Sequence, residues 1–82
     1  MSARIVLYGR PGCHLCEEAE QRVREIAPAA TLEVVDIEAD DELLRAHLER
    51  IPVICVDGEE IATLDDHRRA AFGETLQRRL SN

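Results

Sequence analysis

The 82 residues carry 17 acids against 10 arginines and no lysine, a formal net charge of −7. Such a chain repels phosphate backbones and anionic head groups, so neither nucleic acid nor a membrane surface is an expected partner. The length suits one domain, residues 1–82, and at 45% hydrophobic content there is no apolar run long enough to span a bilayer.

In chain order, only Ile5 to Tyr8 form an apolar run after Met1-Ser2-Ala3-Arg4. That is too short for the core of a secretory signal, and the expected location is cytoplasmic. Arg4 to Tyr8 reads as a buried strand closed by Gly9-Arg10-Pro11-Gly12. From Cys13 the period changes: Leu15, Cys16, Ala19, Val23, Ile26 and Ala27 share one helical face. Glu18–Arg22 and Glu20–Arg24 pair on the other, and Pro28 ends the helix. Thr31 to Ile37 is a second strand, and Asp40 is the expected cap of a short helix running to Leu48. Val53 to Val56 is a third strand, Asp57-Gly58 a hairpin turn signal and Glu60 to Thr63 a fourth strand. Phe72, Leu76 and Leu80 mark a C-terminal helix beginning either at Asp65 or near Gly73-Glu74. The order is βαβαββα, an α/β fold with a four-stranded mixed sheet. Its first two strands are parallel and its last two antiparallel.

The chemistry concentrates in Cys13-His14-Leu15-Cys16. Three cysteines make an odd number, with two of them close together, which argues against a secreted disulfide framework. The pair sits where a strand ends and an amphipathic helix begins. Unpaired amides and the positive end of the helix dipole there favour a thiolate, the reactive form of the thiol. Cys13 is therefore the expected attacking sulfur, and Cys16, one turn in on the apolar face, the resolving one. Arg10 and a protonated His14 would favour the Cys13 thiolate, whereas Glu17 and Glu18 would oppose it.

A structural zinc site would need four converging ligands, and no second Cys-x-x-Cys or His pair exists, so no metal is expected. Cys55 reads as a small buried hydrophobe, and His47 and His67 as surface residues. Arg68-Arg69 and Arg78-Arg79 read as solvated faces or helix-end charges, not a nucleic-acid patch. Ile51-Pro52-Val53 opens the third strand, a position that tolerates proline. With a cis bond, the N–H and C=O of Ile51 would be free to hold a substrate segment as an added strand.

Leu7-Tyr8-Gly9-Arg10-Pro11-Gly12-Cys13-His14-Leu15-Cys16, followed by Ile51-Pro52-Val53, resembles glutaredoxin. It is closest in pattern to the small bacterial glutaredoxin-like proteins with a Cys-x-Leu-Cys motif. The resemblance covers nearly the whole chain and implies a thioredoxin fold, a nucleophilic Cys13, a resolving Cys16 and a cis Pro52. It also implies that Arg10 stands where a lysine usually contacts the glycine carboxylate of glutathione, and that Tyr8 lines the same groove. Tyr8, Arg10, Ile51 and Pro52 are thus the expected substrate-binding set. The chain departs from glutaredoxins in having His14-Leu15 between the cysteines. It also has Ile61-Ala62-Thr63-Leu64-Asp65-Asp66 where they carry a Gly-Gly-x-Asp loop.

The activity expected is thiol–disulfide exchange on protein or small-molecule disulfides. No cofactor would be bound, and glutathione or a thioredoxin-type reductase would supply electrons. The alternative is a weakly catalytic thioredoxin-fold module that binds a protein partner.

Overall fold

A computed structural model describes residues 3–69 and 72–81 of the chain. Strand β1 (Arg4–Gly9) runs through the middle of a sheet ordered β2-β1-β3-β4, with β2 at Thr31–Asp36, β3 at Val53–Val56 and β4 at Glu59–Ala62. β1 pairs in parallel with β2, Ile5 opposite Leu32 and Leu7 opposite Val34. It pairs antiparallel with β3, Leu7 opposite Ile54, and β3 pairs antiparallel with β4. Parallel neighbours need a crossover, and helix α1 (His14–Ile26) supplies it. The β3–β4 turn needs two residues at positive φ. Asp57 (φ 51°) and Gly58 (φ 87°) provide them.

Strand alternation sorts the side chains into two cores. Ile5, Leu7, Ile54 and Val56 point to one face, where they meet Ala19 and Val23 of α1. Phe72 and Leu76 of the C-terminal helix join the same cluster. On the other face Val53 packs with Ile37 and Ile51, a cluster that Cys16 of α1 joins at the end of the sheet. Leu43 and Leu44 of helix α2 (Asp41–His47) close over this second cluster, together with Tyr8. Ile37 falls outside the second strand and opens a 3-10 turn, Ile37–Ala39, capped by Asp36. Asp40 caps α2, its carboxylate accepting from the N–H groups of Glu42 at 2.8 Å and Leu43 at 3.2 Å. This mixed sheet covered on both faces is an α/β arrangement of the thioredoxin type.

One expectation needs correcting. In place of a single C-terminal helix starting at Asp65 or at Gly73-Glu74 there are two, α3 (Leu64–Arg68) and α4 (Phe72–Leu80). Thr63, read as the last residue of the fourth strand, is instead the N-cap of α3. The Asp66 carboxylate reaches back to its N–H at 2.9 Å. Gly73 lies within α4 and is buried where that helix crosses α1. A Cβ there would stand 3.4 Å from both the Arg22 guanidinium and Ile26 Cδ1. These are ordinary contacts with the ends of two side chains, so packing of α4 against α1, and not a steric need for glycine, carries the helix through this position despite its low helix propensity.

Candidate active site

The loop from β1 into α1 is shaped by Pro11 and Gly12. The Cys13 N–H donates to the Arg10 carbonyl at 3.3 Å, and Gly12 has φ +80°. Proline second and a positive-φ glycine third are the requirements of a type II turn. The turn delivers Cys13 to the N-cap of α1 with an extended backbone (φ −88°, ψ 103°), and its carbonyl accepts the first helical bond, from Glu17 N–H at 3.1 Å.

The Cys13 sulfur takes the place that a serine or aspartate oxygen takes in other helix caps. It accepts from the Cys16 N–H at 3.2 Å. A negative charge on that sulfur would lie against an amide and the positive end of the helix dipole. Cys16 follows one turn later on the buried face and is only 6% exposed, whereas Cys13 is half-buried. The two are joined as a disulfide, Cα to Cα 5.3 Å.

Gly9 holds this arrangement from below. A Cβ built on it would stand 3.0 Å from Cys16 Cβ and 3.1 Å from Cys16 Sγ. The contact is with an atom fixed to the helix backbone, so it cannot be relieved by rotating a side chain. In the sequence Gly9 stands out only as the first residue of the loop that closes the first strand.

The Ile51–Pro52 peptide bond is cis, as the glutaredoxin resemblance implies. Ile51 and Pro52 are both buried, and Ile51 belongs to the same apolar cluster as Cys16. The expectation of a free Ile51 N–H is overturned. That group donates to the His47 carbonyl at 3.1 Å, because the end of α2 turns its last carbonyls toward the loop. The amides after β4 are also engaged, Thr63 N–H by Asp66 and Leu64 N–H by the Arg50 carbonyl at 2.9 Å.

Tyr8 is half-buried and stacks on the His47 ring, centroids 4.6 Å apart. Arg10 is exposed, its Nε 3.9 Å from the Glu38 carboxylate, a loose surface pair of small energetic weight. His14 is 92% exposed, with Nδ1 3.7 Å from Glu17.

Other readings change as well. Leu15, placed by periodicity on the buried helical face, is 37% exposed beside the cysteines. Glu18 reaches His67 at 3.3 Å and Arg22 reaches Glu25 at 3.6 Å, so of the two expected helix pairs only Glu20–Arg24, at 2.9 Å, forms. His47 and His67 are not plain surface residues. Each is half-buried with a ring partner, and each Nδ1 is buried without a hydrogen bond.

Cys55 is half-buried rather than fully enclosed. Burial pushes its thiol above the ordinary value, Glu60 adds to that, and Arg50 partly opposes it. Among the described residues no group of three or more His, Cys, Asp or Glu is placed to hold a metal ion, and no helix is long and apolar enough to cross a membrane.

A parallel strand pair, a buried cis proline ahead of β3 and a Cys-x-x-Cys pair at a helix N-cap define the class: a thioredoxin-fold protein. Within that class, the defining pattern of the glutaredoxin-like domain family (DUF836) matches residues 4–81, and the chain belongs to that family. No curated protein matches the sequence.

Among solved structures, the solution structure of protein Ne2328 from Nitrosomonas europaea is 32% identical with a TM-score of 0.69. The match covers 88% of this chain and 92% of that one. The X-ray structure of protein XcR50 from X. campestris is 30% identical with a TM-score of 0.66, covering 83% of this chain and 91% of that one. Glutaredoxin 1 from Francisella tularensis, complexed with cacodylate, is 21% identical with a TM-score of 0.57, covering 92% of this chain and 98% of that one; it speaks for the fold alone. Fold, family and the Cys13-x-x-Cys16 pair together support a thioredoxin-type redox role.

Proposed function

We propose that the chain is a thiol–disulfide oxidoreductase of glutaredoxin type, with Cys13 as attacking nucleophile and Cys16 as resolving thiol. The observation that carries this reading is the Cys13 sulfur at the N-cap of α1, facing the Cys16 N–H at 3.2 Å. In the reduced protein the Cys13 thiolate attacks one sulfur of a substrate disulfide, forming a mixed disulfide and expelling the other sulfur as a thiolate that takes up a proton. Cys16, losing its proton, then attacks Cys13 Sγ. The Cys13–Cys16 disulfide closes and the second substrate thiol leaves. Two electrons pass from the dithiol to the substrate, and two return from glutathione or a thioredoxin-type reductase. Arg10, Tyr8, Ile51 and Pro52 are the proposed substrate-binding residues, of which Ile51 offers its carbonyl rather than its N–H.

Equilibration against graded thiol–disulfide buffers tests the reading. The Cys13–Cys16 couple is expected at roughly −270 to −200 mV, the span of thioredoxins and glutaredoxins. Cys13→Ser is expected to abolish turnover of a small neutral disulfide. A weakly catalytic protein-binding module is the second reading, favoured by the stretch after β4, which has no glycine pair and whose Thr63 and Leu64 amides are already engaged. A Cys13–Cys16 pair that never cycles between buffers would select it.

A further inference from the structure

On the β2 side of the Pro11-Gly12 turn, away from the cis proline, a groove of about 280 Å³ runs between α1 and the sheet. Its floor includes Leu7 and Val34, and Cys16 stands in its wall. Val34 is 47% exposed, an apolar side chain in the middle of an edge strand that the first core leaves uncovered. Three carboxylates line the same groove, Glu17, Glu20 and Asp36, against one cation, Arg10. Arg10 already stands near Glu38, outside the groove, and among the described residues Glu17 has the exposed His14 as its ion-pair neighbour. Glu20 is paired with Arg24, and Asp36 uses one carboxylate oxygen to cap the 3-10 turn, leaving the other open. The lining is therefore apolar below and negative at the rim, on a chain whose formal net charge is −7.

We infer that this groove receives the segment flanking a substrate disulfide, and that the preferred substrates are protein disulfides with an apolar and a basic residue beside the cysteine. The inference rests on the oxidoreductase reading and names the substrate class for the same dithiol. The apolar side chain would cover the exposed Val34. The basic one would meet Glu17 and Asp36, and the field of the whole chain would steer such a segment toward the site.

Two disulfide-linked peptides test it, identical in their apolar residue and differing only in a Lys or a Glu beside the cysteine, with hydroxyethyl disulfide as a neutral control. At low ionic strength the Lys peptide is expected to be reduced with a kcat/KM about ten-fold above the Glu peptide, and the gap should close as salt is raised. Glu17→Gln is read only as the ratio between the two peptides, so that any effect on Cys13 itself cancels; that ratio is expected to fall. In the Cys13→Ser protein the Lys peptide should shift the amide resonances of Val34, Val35 and Glu20.

Equal reduction of both peptides at low salt would overturn the inference, as would shifts confined to the Ile51–Pro52 loop. If even the neutral control is not reduced, the oxidoreductase reading has failed, and the amide shifts alone then decide whether the groove takes the basic peptide.

Discussion

Gly9 shows how much one missing methyl group can carry. Gly9→Ala would place a Cβ against Cys16 Cβ at 3.0 Å, an overpacked contact that is expected to cost about 1–3 kcal/mol. Because the pressure falls on the resolving cysteine, the substitution should also move the reduction potential of the couple. Urea unfolding and redox equilibration of the variant measure the two effects. An unchanged potential would show that Cys16 is not positioned by this contact.

The reactive pair itself was legible in the sequence, since a strand, a Pro-Gly turn and an amphipathic helix leave few other places for Cys13. Gly9 was not legible, because the need for glycine comes from a residue on another element. The Ile51 N–H was misread for the same kind of reason. Its partner is a carbonyl at the end of α2, and no local pattern reports where that carbonyl points.

Among the elements, the strands and the β3–β4 turn were readable because their signals are local: alternation, β-branching and Asp57-Gly58. The C-terminal helices were not, although a signal was present. Thr63-Leu64-Asp65-Asp66 places an acid three residues after a threonine, the spacing of a capping box, and it marks a helix start directly after β4. Reading Thr63 as strand concealed it.

Helix α2 tests the value of such caps. It spans only Asp41–His47 and packs through half-buried side chains, Leu43, Leu44 and His47, with none fully buried, so a lost cap is only partly compensated. Asp40→Ala removes the acceptor for two amides and is expected to destabilise the protein by about 1 kcal/mol, measured as a shift in the urea midpoint. Because α2 roofs Tyr8 and supplies the carbonyl that holds Ile51, amide exchange in the Ile51–Pro52 loop should quicken in the same variant.

For the whole molecule, two apolar clusters lie on opposite faces of one sheet, and they divide the labour. The larger one, with Ile5, Leu7, Val23, Ile54 and Leu76, holds α1 and α4 to the sheet. The smaller one contains Cys16 and Ile51 and sets the site. In a domain of this size total stability is on the order of 4–12 kcal/mol. Leu76 is completely buried in the larger cluster, so Leu76→Ala is expected to cost about 3 kcal/mol. Denaturant melts of the oxidised protein measure that loss. The electrostatic surface adds nothing comparable, since the ion pairs are exposed and each is of small weight.

The sulfur at the start of α1 closes the helix as well as offering itself to a substrate. When it is an anion it draws the amide proton of Cys16 into a charge-assisted contact, and when it is tied into a disulfide that charge is gone while the neighbour remains. The proton on that one nitrogen therefore senses the oxidation state of the couple at first hand. The molecule carries a built-in gauge of its own redox condition, readable by magnetic resonance without any label.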